Sequence, residues 1–241
     1  MQKQGQNLTF CNYLPMQKIF NFFPLTVYKS SLSLTDNEKN EMIEEVRLME
    51  KKSKNLDYKS QNKSWTGDTQ GFENLHNNPK FKNLFIQIND CILEYLENLS
   101  VNHKKLDLYF QRSWATISKN TEHIDSHSHD QSHLSIAFYL KKQKDDAKIM
   151  FFDSSKHNEF IPQLFGSRSL AKENIFKKRD ILNSNKVVFD TKESDLLIFP
   201  SKTIHGTEQG KSNSERISIS ADIVFLAKDS STLEHLVPPV E

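Results

Sequence analysis

The hydrophobic period of this chain changes near residue 100, and that change limits the folds open to it. Up to Leu99 large apolar residues recur every three or four positions; beyond it they alternate. Thr35-Asp36 offers an N-cap, with Glu38 three residues after Thr35 as the partner of a capping box. Met42, Ile43, Val46 and Met49 then follow at helical spacing, predicting a helix over about Asp36–Lys51. A second helix is predicted over about Pro79–Leu99, where Phe81, Leu84, Phe85, Ile88, Ile92, Tyr95, Leu96 and Leu99 make one apolar stripe. After it come strand-like runs: Leu106/Leu108/Phe110, Trp114/Thr116/Ile117, Leu134–Leu140, Lys148–Phe152, Lys186–Phe189, Leu196–Phe199 and Arg216–Phe225. Helices first and short strands afterwards indicate an α+β protein, with a sandwich or barrel of antiparallel strands.

The remaining segments are less regular. Met1–Pro15 is polar and aperiodic, a loose extension, and Met16 would serve as an alternative start. Residues 16–241 read as one domain: a helical portion at about 36–100, a β core at about 105–227, and a loop insertion at 153–184. Ile19–Leu34 is extended, with strand character around Leu25–Tyr28. A loop as long as Asp153–Ser184 is commonly a lid, so it and the helices are expected to shape a substrate entrance. Leu236–Glu241 is a tail.

Composition removes several function classes. Lys+Arg is 32 and Asp+Glu is 31, a net charge of +1 with no basic stripe, so no nucleic-acid partner is expected. The longest apolar runs, such as Ile136–Leu140, are far short of the roughly 20 residues that span a bilayer. Cys11 and Cys91 are the only cysteines and form no metal or disulfide framework. With no signal-peptide-like start, the expected setting is cytoplasmic, without a membrane partner.

Four of the nine histidines, His123, His127, His129 and His133, fall within eleven residues. Residues i and i+2 of an extended segment share a face, so His127 and His129 form one pair and His123 and Asp125 another. Two imidazoles at a strand end can hold adjacent corners of a metal's coordination sphere, and a third ligand must come from elsewhere. His205, after Phe199-Pro-Ser201, is the candidate. Eleven residues on, Arg216 opens a strand in which Arg216, Ser218 and Ser220 share a face. An Arg in a buried strand suits bidentate capture of a carboxylate.

This order resembles the double-stranded β-helix, a jelly-roll or cupin-like fold, of the 2-oxoglutarate/Fe(II)-dependent oxygenases. More closely, it is similar to a family of putative 2-oxoglutarate-Fe(II) oxygenases of bacteria and their phages. The matching stretches are Trp114-Ala-Thr116, His127-Ser-His-Asp-Gln-Ser-His-Leu-Ser-Ile-Ala-Phe-Tyr-Leu140, Phe152-Asp-Ser154, Phe199-Pro-Ser-Lys-Thr-Ile-His205 and Arg216-Ile-Ser-Ile-Ser-Ala221. The chain departs from the family pattern at Thr116 (for Asn), Asp130 (for Pro), Ile136 (for Gly) and Asp153-Ser154-Ser155 (for Asp-Pro-Arg).

The resemblance implies a β-helix core with the N-terminal helices packed on one sheet, and Fe(II), 2-oxoglutarate and dioxygen as cofactor and co-substrates. His127, His129 and His205 would face the iron. Arg216 would pair with the distal carboxylate of 2-oxoglutarate, with Ser218 beside it and Tyr139 donating to the same group. Two other metal sets stay open: His123/Asp125/His205, with the two-His, one-carboxylate chemistry usual for such iron and a spacing similar to the prolyl-hydroxylase branch, and a mixed set containing Asp130. The implied activity is hydroxylation of a small-molecule or peptide substrate, releasing succinate and carbon dioxide. The rival is a β-barrel metal-binding or interaction protein, or a cupin-type dioxygenase, that does not use 2-oxoglutarate. Arg216 separates the two, since only the oxygenase needs it.

Overall fold

A computed structural model of the chain describes residues 21–54, 63–155, 157–166, 175–211 and 213–228. The expectations for 1–15 and for the C-terminal tail lie outside them. Helix α1 spans Asp36–Lys52 and begins as its sequence predicts. The Glu38 N–H donates to Thr35 Oγ1 at 3.2 Å, and the Thr35 N–H donates to the Glu38 carboxylate at 2.8 Å. Helix α2 spans Lys82–Asn98. The expected first turn, Pro79–Phe81, is a 3-10 turn instead, capped by the Asn78 side chain accepting from the Lys80 N–H. No described helix is long and apolar enough to cross a membrane.

The described residues contain nine strands, in chain order β1 (Tyr28–Ser31), β2 (Trp65–Thr66), β3 (Leu106–Lys119), β4 (Leu134–Lys141), β5 (Ile149–Phe152), β6 (Lys186–Phe189), β7 (Asp195–Pro200), β8 (His205–Thr207) and β9 (Glu215–Ala227). They form a six-stranded sheet, β1-β7-β4-β9-β3-β2, and a three-stranded sheet, β6-β5-β8, with antiparallel neighbours throughout. This is the double-stranded β-helix on an α+β plan. The first strand lies three residues later than the Leu25–Tyr28 expectation, because Tyr28–Ser31 is what pairs with Asp195–Ile198 of β7.

Where two separate runs were expected between Leu106 and Ile117, the structure has one 14-residue strand. Its ladder with β9 shifts register between Phe110 and Arg112. An extra residue in a strand moves every later side chain to the opposite face. Leu106, Leu108 and Phe110 therefore pack with the helices, and after the shift Ala115 and Ile117 take over that face. Arg112, Trp114 and Thr116 turn the other way, into a cavity.

The six-stranded sheet is thus two-sided. Ile136, Phe138, Ile217, Ile219, Ile223 and Ile198 join Met42 and Val46 of α1 and Ile88 and Ile92 of α2 in one core. Burying such side chains contributes about 1.5–3 kcal/mol each, so the helices hold the sheet from behind. On the opposite face Arg216, Ser218 and Ser220 of β9 look toward the smaller sheet.

Candidate active site

The segment joining β3 to β4 carries His127 and His129, and backbone pairing places it against β8. The His127 N–H donates to the His205 carbonyl and the His205 N–H to the His127 carbonyl, both at 2.9 Å, an antiparallel bridge. The His129 N–H donates to Ser201 O at 2.9 Å, and the Ser201 N–H to His133 O at 3.1 Å. Three imidazoles converge in consequence. Ring centroids are 4.5 Å apart for His127–His205, 5.0 Å for His127–His129 and 5.3 Å for His129–His205. Their candidate ligand atoms all lie within 4.8 Å of one another, the one such group among the described residues.

The hydrogen bonds fix which nitrogen each ring turns inward. His127 Nδ1 donates to Asp125 O at 2.9 Å and His205 Nδ1 to Thr203 O at 2.9 Å. His129 Nδ1 donates to Asp222 Oδ1 at 2.6 Å. Each acceptor has no proton to give, so Nδ1 carries the proton and, in the neutral ring, Nε2 carries the lone pair. Trp114 stacks on His129 at 5.7 Å and 19°, and Phe199 meets His205 edge-on at 4.8 Å. His129 Nε2 is buried with no hydrogen-bond partner. Burial pushes His205 down to about 4, aided by the neighbouring imidazoles. Burial also lowers His127, which the backbone bond opposes. At neutral pH both rings therefore keep their lone pairs.

Arg216 is at the other end of the cavity, 2% exposed. Its Nη1 donates to Ala147 O at 3.0 Å and its Nη2 to Ser118 Oγ at 2.9 Å. Its Nε is buried without a partner, and no carboxylate among the described residues forms an ion pair with it. A buried guanidinium paired only with neutral groups is costly unless an anion joins it. Burial accordingly pulls its pKa down from the usual value. Ser218 lies opposite Tyr139 in the β4–β9 ladder, and both side chains line the cavity beside Arg216. Burial raises the Tyr139 phenol, keeping it a proton donor. The cavity measures about 610 Å³ and holds the three histidines and the Arg216 group together.

The other sequence candidates are placed differently. Asp125 is exposed, bound to Lys63 Nζ at 2.9 Å, with His123 Nε2 at 3.3 Å from its second oxygen. The two border the cavity but do not join the cluster around His205. Asp130 accepts from Ser128 Oγ at 3.1 Å on the outer side. One expectation needs correcting: neither α1, α2 nor any described residue of 153–184 lines the cavity. The helices occupy the opposite face of the sheet. Among the loop's described residues, Arg179 stacks over Phe176 at 4.1 Å and donates to Phe165 O at 3.1 Å. The rim is supplied instead by Lys63–Gln70, a segment the sequence marked only by Trp65. Asp222 was also missed, although it continues the every-second-residue series Arg216, Ser218, Ser220.

The donor set fits the group its sequence suggests. Neutral imidazole suits iron, and three protein ligands leave positions for a chelating co-substrate and an oxidant. Residues 112–222 match the model of a family described as putative 2OG-Fe(II) oxygenase. No curated protein sequence matches the chain. Among solved structures it is similar to the non-heme alpha-ketoglutarate-dependent epimerase SnoN of nogalamycin biosynthesis (12% identity, TM-score 0.52, 90% of this chain and 89% of that one). It is likewise similar to HygX from Streptomyces hygroscopicus with nickel, 2-oxoglutarate and hygromycin B bound (11%, 0.51, 83% of each). A Pseudomonas putida prolyl-4-hydroxylase resembles it as well (10%, 0.50, 83% and 92%). These likenesses are of fold. The stretch that matches the putative 2OG-Fe(II) oxygenase family, residues 112–222, is the part of the chain that carries all three histidines and Arg216.

Proposed function

We propose that His127, His129 and His205 hold the Fe(II), that Arg216 with Ser218 and Tyr139 seats the distal carboxylate of 2-oxoglutarate, and that the reaction is hydroxylation of a small-molecule or peptide substrate. The observation that carries this reading is the buried Arg216, hydrogen-bonded only to Ala147 O and Ser118 Oγ, at one end of a cavity whose other end holds three inward-turned imidazole nitrogens. Bound together, Fe(II) and 2-oxoglutarate supply the oxidising power: dioxygen is consumed, the keto-acid becomes succinate and carbon dioxide, and a substrate C–H becomes C–OH.

The chain's own part is geometric and electrostatic. Asp125 O, Thr203 O and Asp222 fix the three tautomers before any ligand arrives, so no ring must reorient. Arg216 supplies a charge-assisted fork for the carboxylate, and Tyr139 and Ser218 add hydroxyl donors on the same side. Trp114 and Phe199 close off water around His129 and His205, which strengthens every polar contact there. A cytoplasmic setting is in keeping with the free thiol of Cys91.

The deciding experiment is an anaerobic titration of the Fe(II)-loaded protein with 2-oxoglutarate, followed by the weak visible metal-to-ligand charge-transfer band. The band should form in the wild type and be absent in His205→Ala and in Arg216→Ala. Tight Fe(II) binding with no band at any 2-oxoglutarate concentration would overturn the assignment.

A further inference from the structure

We propose that Asp222 is a positioning residue for the metal site: its carboxylate, placed behind His129, orients that ring and strengthens its Nε2 as a donor to a divalent cation. The inference rests on the reading of His127, His129 and His205 as the metal site and adds the residue that differentiates its three ligands.

The three imidazoles have different supports. His127 and His205 give their Nδ1 protons to backbone carbonyls, which carry no net charge. His129 alone gives its proton to a carboxylate, at 2.6 Å, and both partners are buried: His129 is 8% exposed and Asp222 1%. The carboxylate is itself held in place. Ser135 Oγ donates to Asp222 Oδ1 at 3.1 Å, the oxygen that faces His129. Arg112 Nε donates to Oδ2 at 2.7 Å, and Arg112 also stacks over Trp114 at 4.8 Å. Ser201 Oγ, bonded to Ser135 at 2.9 Å and Ser132 at 2.8 Å, anchors this arrangement to the end of β7. The same ring's Nε2 has no partner at all.

A carboxylate hydrogen-bonded to the far nitrogen of a ligating imidazole raises the basicity of the near one and locks the ring's orientation. The ligand trio contains no carboxylate. Asp222 brings negative charge to the site without occupying a ligand position, through the bond it makes with His129.

Cobalt(II) titration of the purified protein, read by its ligand-field absorption and by competition with a chelator, tests this. Asp222→Asn can keep an acceptor for His129 while losing the charge; Asp222→Ala loses both. Asp222→Asn should bind Co(II) about 10- to 100-fold more weakly than wild type, with an altered band pattern, and Asp222→Ala more weakly still. Equal affinity, within about twofold, and an unchanged spectrum in Asp222→Asn would overturn the inference while leaving the metal site intact. Failure of the wild type to bind Co(II) would instead overturn the metal-site reading, and the inference with it. Should Asp222→Asn not fold, proton NMR of the metal-free wild type decides. The most downfield imidazole N–H resonance should vanish in His129→Gln and remain in His127→Gln. Its persistence in His129→Gln would overturn the proposal.

Discussion

Arg216 is the residue on which the proposed chemistry turns, because its buried guanidinium is hydrogen-bonded only to the neutral Ala147 O and Ser118 Oγ. Truncation should therefore separate co-substrate from metal. Arg216→Met should bind Co(II) as wild type does, yet lose about 100-fold or more in 2-oxoglutarate affinity, the worth of two charge-assisted hydrogen bonds; calorimetry with the Co(II)-loaded protein checks this. His205 carries a second consequence. Its folded pKa is about 4 against an ordinary value of 6.5. Between those values the unfolded chain binds a proton that the folded, metal-free protein refuses. Stability from this group is therefore complete above about 6.5 and is lost as pH falls toward 4. Urea unfolding of metal-free protein across that range should show the loss, and His205→Gln should flatten it. The histidines and Arg216 could be singled out because their order and spacing are unusual. Asp222 could not, since its meaning depends on His129, 93 residues away.

At the scale of elements, two local devices have measurable weight. The capping box of α1 satisfies an otherwise orphaned N–H at the helix start, so Thr35→Ala should cost about 1 kcal/mol in denaturant unfolding without altering Co(II) affinity. Gly206 presents the opposite case. A Cβ there would meet Ile124 O at 3.0 Å, Asp125 O at 3.1 Å and Ser126 Cα at 3.1 Å, all backbone. That strand edge is where His127 bridges His205. Gly206→Ala should push the 124–126 segment outward and weaken Co(II) binding, while a folded far-UV spectrum is retained. The helix boundaries were legible because caps and a 3.6-residue stripe are local signals. The unity of β3 was not: a residue inserted at the register shift reverses the phase of the alternation, so one strand reads as two.

For the whole molecule, the two sheets are separate walls of one cavity, and ligands that bridge them should stabilise the fold by mass action. Co(II) should raise the melting temperature, and 2-oxoglutarate should raise it further in the wild type. In Arg216→Met the second increment should vanish and the first remain; a full second increment in that variant would detach 2-oxoglutarate from Arg216. The sequence by itself determined the division into helices and strands, the apolar face that joins them, and the histidines and arginine around which the proposed chemistry is organised. Each of those is written in a spacing of a few residues. Only the tertiary structure decided that Asp125 pairs with Lys63 and not with the cluster around His205, that Lys63–Gln70 forms the rim and the described residues of the 153–184 loop do not, and that a carboxylate stands behind His129. Those outcomes depend on strand register and on which of two faces a side chain takes, and register is set by pairing between segments far apart in the chain.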